Sequence, residues 1–140
     1  MIVLDASVAV KWYIPEALSE LADALFRDHA GSIAAPSLFE TEIVGALVRR
    51  ANIDKSTRAE VEEWLAHLSV LFEEGSIATV DMGISGTQAA AVLALDLGHP
   101  LKDCLYLQLA IERECQLVTA DARFAARARG AYAGVVVLGE

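Results

Sequence analysis

A chain of 140 residues in which 55% are hydrophobic can bury a core without disulfides or a structural metal, and a mean hydropathy of +0.42 excludes disorder. No apolar run approaches the roughly 20 residues that a membrane-spanning helix needs. The formal charge of −9, from 20 acidic against 11 basic residues, argues on its face against a nucleic-acid partner. It leaves room for local basic patches at Arg49, Arg50, Lys55 and Arg58, and at Arg123, Arg127 and Arg129.

The chain opens on a strand-like run, residues 2–4, with no basic leader or cleavage site ahead of it, so no secretory signal is expected. A helix follows over 7–13 and another over 17–29, then a strand at 32–35. Two long helices, 37–51 and 56–72, lead to a strand at 77–80. Helices over 85–97 and 104–114 precede a strand at 116–119, and a short helix over 122–129 leads to a last strand at 134–138. Pro15, Pro36 and Pro100 fall in the gaps, where a helix begins or cannot continue. Alternating strands and helices, with strands that are continuously apolar, predict one α/β domain over 1–140. Its central twisted parallel sheet has about five strands buried on both faces. Cys104 and Cys115 lie eleven residues apart on one predicted helix, about 16 Å along its axis. They cannot pair and read as free thiols of a reducing cytoplasm.

Ligands of parallel sheets bind beyond the carboxyl ends of the strands, which singles out acids. Asp5 closes Ile-Val-Leu-Asp, and Asp121 comes two residues after the fourth strand. Asp103 stands ahead of the helix at 104–114. Each can be read as an ordinary helix cap. Gathered at one end of a sheet, three carboxylates about 5 Å apart would repel by roughly 3 kcal/mol per pair at an effective dielectric of 20. A hard dication relieves that repulsion, and oxygen-only ligands suit Mg²⁺ or Mn²⁺. A fourth acid comes from the helix at 37–51, where Glu40 and Glu42 point to different faces. Periodicity does not choose between them. His29, His67 and His99 lack zinc-ligand spacing, and His99, before Pro100, reads as a turn residue. No phosphate-binding glycine loop or nucleophile elbow is present. Trp12, Tyr13 and Phe26 read as packing residues rather than a base-stacking platform.

Four segments together carry a family resemblance: VLDASVAVKW at 3–12, APSLFETEIVGAL at 35–47, HPLKDCLYLQLA at 99–110 and LVTADARFA at 117–125. In this order and spacing the chain resembles PIN-domain ribonucleases, specifically the VapC-type toxins of bacterial toxin–antitoxin pairs. The resemblance implies a three-layer PIN-like fold with Asp5, Glu42, Asp103 and Asp121 as both the metal ligands and the catalytic acids. It selects Glu42, six residues after Pro36, over Glu40. Ser7 and Thr119 match small hydroxyl positions that support the site. Two departures stand out. Gly45 occupies a position often held by Asn, and Arg123 one often held by a further acid. Both weaken the case for a second metal.

The implied activity is Mg²⁺-dependent hydrolysis of RNA phosphodiester bonds by a metal-activated water in a cytoplasmic toxin. The RNA preference comes from the resemblance alone, because the chemistry needs no 2′-hydroxyl. The implied partners are an RNA substrate, a small cognate antitoxin lying over the active-site groove, and a second toxin chain. Trp12, Tyr13, Ile14, Pro15 and Leu18 are a candidate part of the antitoxin-facing surface, with ordinary core packing as the alternative. A non-catalytic binding module that keeps the metal nest is the alternative, favoured by Gly45 and Arg123. A phospho-receiver domain is a third alternative, disfavoured by the lone acid after the first strand and the lack of any Lys after Lys102.

Overall fold

The computed structural model describes all residues from Met1 to Glu140. Five short strands, β1 (Ile2–Leu4), β2 (Ile33–Pro36), β3 (Ile77–Val80), β4 (Gln116–Thr119) and β5 (Val135–Val137), pair in parallel in the order β3-β2-β1-β4-β5. Seven helices connect them: α1 (Ala6–Ala9), α2 (Ser19–His29), α3 (Leu38–Ile53), α4 (Arg58–Glu73), α5 (Gly83–Leu97), α6 (Leu101–Arg113) and α7 (Ala122–Ala128). The sheet grows outward from β1 in one direction through β3 and in the other through β5. Right-handed crossovers therefore place α1–α4 on one face and α5–α7 on the other. This is the expected α/β architecture.

Burial follows strand position. Every residue of β1 and β2 is buried, whereas the edge strands β3 and β5 are each buried at their first residue and more open beyond it. The expectation of full burial on both faces thus holds for the centre and fails at the edges, where no neighbouring strand covers the flank. Helix α6 packs against β1, β2 and β4 and sends Tyr106, Leu107, Leu109 and Ala110 into a core continuous with Val3, Leu4, Phe39 and Leu117.

Three predicted elements change form. The helix expected over 7–13 is the single turn α1 followed by a 3-10 turn, Val10–Trp12. The last strand is shorter than 134–138. Helix α6 starts at Leu101 rather than at 104, because Pro100, with φ −58°, suits a helix start and cannot extend the preceding helix. Just before it, α5 ends at Gly98 in the left-handed region (φ 61°), where only glycine is free of strain. The turn from α5 to α6 is therefore only Gly98, His99 and Pro100.

Candidate active site

The order of strands creates a switch point between β1 and β4, because the connections after these two strands run in opposite directions across the sheet. A crevice at the carboxyl ends of the strands forms at such a point. Asp5 leaves β1 and Asp121 follows β4, so both flank it.

Asp5 is 9% exposed, and its backbone N–H donates to Val118 O at 3.0 Å across the switch. Two hydroxyls, each with one proton, donate to the same carboxylate oxygen: Thr119 Oγ1 to Oδ2 at 2.7 Å and Ser7 Oγ to Oδ2 at 2.9 Å. Each hydroxyl also accepts a backbone N–H from the turn after β4, Ser7 Oγ from Ala120 and Thr119 Oγ1 from Asp121, both at 3.0 Å. The support expected of Ser7 and Thr119 is present as a network locking Asp5 to the Asp121 turn. The other oxygen, Oδ1, receives only a long 3.4 Å contact from the Ser7 N–H, so most of its accepting capacity is left for a ligand. Burial raises the Asp5 carboxyl above its ordinary value, the hydroxyl hydrogen bonds oppose this, and the charge of Asp103 adds to the rise.

Glu42, on α3, stands half-buried with Oε1 accepting from Tyr106 Oη at 2.7 Å, and Lys102 Nζ lies 3.8 Å from Oε2. Its carboxyl is raised by burial, lowered by the Tyr106 bond and raised again by the charges of Asp5 and Asp103. Burial and the Glu42 carboxylate in turn hold the Tyr106 phenol far above its usual range, so it remains a donor. Glu40 lies elsewhere, exposed and accepting from Thr79 Oγ1 at 3.1 Å.

Asp103 is not ahead of its helix but inside the first turn of α6, so the capping alternative does not apply to it. Its Oδ2 lies 2.6 Å from His99 Nε2. Asp121 is exposed and does cap, accepting the Phe124 N–H at 3.0 Å. Asp5 caps α1 only through the long Ser7 contact.

Asp5, Glu42 and Asp103 thus lie within electrostatic reach of one another, whereas Asp121 is tied to Asp5 only by its backbone N–H through Thr119 Oγ1, its carboxylate capping α7. They are not drawn into a tight cage: no three His, Cys, Asp or Glu side chains stand close enough together to hold a metal ion by themselves. Asp103 and Glu42 each commit one carboxylate oxygen to a donor of their own, Oδ2 to His99 and Oε1 to Tyr106, and the second oxygen of each keeps accepting capacity. The donor chemistry fits a hard dication: all four groups are carboxylates, two of them raised by burial and like charge, and Asp5 Oδ1 receives only one long contact.

Sequence reasoning missed Lys102 and Tyr106 and reduced His99 to a turn residue. The signal available was helical spacing, since His99, Asp103 and Tyr106 recur at intervals of four and three, which align on one face. Two other expectations need correction. Tyr13 is 7% exposed and bonds His67 Nδ1 through its hydroxyl at 2.9 Å, so it belongs to the core and not to a partner surface. Trp12 is half-buried, with its indole N–H on Ala22 O at 3.0 Å. The C-terminal basic cluster is largely engaged internally. Arg127 binds Gly98 O at 2.7 Å, and Arg129 pairs with Glu140. Lys102, next to Asp103, and Arg123, two residues after Asp121, remain exposed cations.

No curated relative matches the sequence significantly. Among solved structures, the chain is similar to PAE2754 from Pyrobaculum aerophilum, with 18% identity, a TM-score of 0.72, and coverage of 98% of this chain and 90% of that one. It is also similar to a chain of a toxin–antitoxin complex from Klebsiella pneumoniae, with 12% identity, a TM-score of 0.67, and coverage of 100% and 99%. At these identities the likeness is one of fold. The sequence itself matches the PIN domain over residues 2–130, a family whose members are generally nucleases using divalent metals. With an acid-lined switch point at the end of a five-stranded parallel sheet, the chain belongs to the PIN domain family.

Proposed function

We propose that this protein is a metal-dependent endoribonuclease acting as the toxin of a toxin–antitoxin pair, with Asp5, Glu42, Asp103 and Asp121 as its site. The observation that carries the reading is that Asp5, Glu42 and Asp103, from three separate elements, lie within electrostatic reach of one another, which local capping does not require. A bound Mg²⁺ or Mn²⁺ would supply charge stabilisation and an acidified water. Asp5 would hold the ion through Oδ1, its other oxygen being engaged by Ser7 and Thr119. Asp103 and Asp121 would complete the ligand set, directly or through water. Glu42, held by Tyr106 Oη, would complete the shell or orient the attacking water. Lys102, 3.8 Å from Glu42 Oε2, and the exposed Arg123, two residues after Asp121, would supply positive charge for substrate phosphates, which a protein of net charge −9 would otherwise repel. The antitoxin partner is supported by the fold shared with the Klebsiella pneumoniae complex. Self-association is carried by the family resemblance.

The test is RNA cleavage with Mg²⁺ or Mn²⁺. Activity should vanish in EDTA and fall at least a hundredfold in Asp5→Asn and Asp103→Asn. Equal RNA decay by wild type and both variants would refute the reading. The open spacing of the acids, together with Gly45 and Arg123, favours a second reading, a metal-binding module without turnover. Metal binding with no cleavage of any RNA would select it.

A further inference from the structure

The imidazole of His99 is nearly enclosed, with its side chain 10% exposed, yet its Nδ1 is buried without a partner. An unpaired buried nitrogen is unfavourable, and an apolar side chain would fill the same place without it. Packing therefore does not explain a histidine here. The opposite ring nitrogen does. Because an ionised carboxylate only accepts, Nε2 carries a proton and donates it to Asp103 Oδ2 at 2.6 Å. The ring also meets Phe124 edge-on, centroids 4.7 Å apart at 80°. Phe124 is the residue whose N–H is capped by Asp121. One residue earlier in the same turn, Gly98 O accepts from Arg127 of α7 at 2.7 Å. The backbone of His99 is fixed as well, by its N–H on Ala94 O at 3.0 Å and by the restriction that Pro100 imposes on the residue before it.

We propose that His99 is a positioning residue: its Nε2–H fixes the rotamer of Asp103, and its contact with Phe124 sets that carboxylate relative to the Asp121 turn. The three-residue turn between α5 and α6 is thereby a clamp joining the helices that carry two of the acids. Partners that orient metal-binding groups commonly change affinity by 10–100-fold when removed. The role rests on the metal-centre reading above.

The test separates ring from donor. His99→Phe keeps an aromatic ring against Phe124 and removes the donor. His99→Gln removes the ring and can place an amide N–H near the Nε2 position. Mn²⁺ binding is measured by calorimetry on the full chain, with thermal melts in EDTA alongside. His99→Phe should bind Mn²⁺ about tenfold or more weakly, and His99→Gln should return to within about threefold of wild type. Wild-type affinity in His99→Phe would overturn the positioning role and leave the metal reading intact. Equally weak binding by a folded His99→Gln would show that restoring a donor at this place does not restore the site, and would also overturn it. If His99→Phe does not fold, His99→Leu against His99→Gln makes the same comparison. Absence of Mn²⁺ binding by wild type would overturn the metal reading and this role with it.

Discussion

Asp5→Asn in the metal-free protein puts the electrostatics of the site to a direct thermodynamic test. Asn has the shape of Asp, and its carbonyl oxygen can keep both hydroxyl donors, Ser7 Oγ and Thr119 Oγ1. What it removes is a charge that is 9% exposed and faces the charge of Asp103. A like-charge pair is worth about 3 kcal/mol at 5 Å and about 2 kcal/mol at 8 Å for an effective dielectric of 20. The open spacing of the acids points to the lower figure. Weakening two charge-assisted hydrogen bonds to neutral ones gives back roughly 1 kcal/mol. The net gain is about 1–2 kcal/mol, or a rise in melting temperature of roughly 3–7 °C for a chain of this length. The pH dependence follows from the direction of the Asp5 shift. Its folded-state carboxyl is raised above the ordinary 3.8, so the folded state binds its proton more tightly than the unfolded chain does. Wild type loses stability as pH climbs from that value through the folded-state one, and the loss is complete above it. The gap between Asp5→Asn and wild type in EDTA should therefore be full at neutral pH and close as pH falls toward 4. Paired melts at three pH values measure it. A variant that melts no higher than wild type at pH 7, or a gap that is unchanged by acid, refutes the argument.

Asp121→Asn is the counterpart: Asp121 is exposed and caps α7, Asn caps equally well, and its melting temperature in EDTA should stay within about 2 °C of wild type. The relief of repulsion anticipated for clustered acids thus belongs to the buried Asp5. In an RNA-cleavage assay, Glu42→Gln should lose at least about a hundredfold and Glu40→Gln should remain within a few-fold, and the reverse would place the catalytic glutamate on the other face of α3. Tyr106→Phe strips Glu42 of its 2.7 Å donor. A melt in EDTA should register a loss of about 1–3 kcal/mol, and cleavage should fall roughly tenfold. No change in either would mean that Glu42 is held by other means.

The sequence by itself determined the class of fold, because continuous apolar runs such as Ile2–Leu4 and Gln116–Thr119, spaced by helical segments, satisfy only a buried parallel sheet. It also put forward the four acids as candidates, since strand-end position and motif order are properties of the chain. It located both ends of Asp5's support, Ser7 and Thr119, for the same reason. It did not determine where α6 begins, because a helix start is set by Pro100 and the turn before it and not by the apolar pattern, and that shift moved Asp103 from a cap position into the first turn. Nor did it separate Glu42 from Glu40 by periodicity. Only the packing of α3 against its neighbours puts one carboxylate beside Tyr106 and Asp5 and the other beside Thr79. The engagement of Arg127 and Arg129, the burial of Tyr13 and the orphaned nitrogen of His99 belong to the tertiary structure for a common reason. Each depends on a partner distant in the chain or on enclosure by several elements, and neither leaves a mark in local spacing.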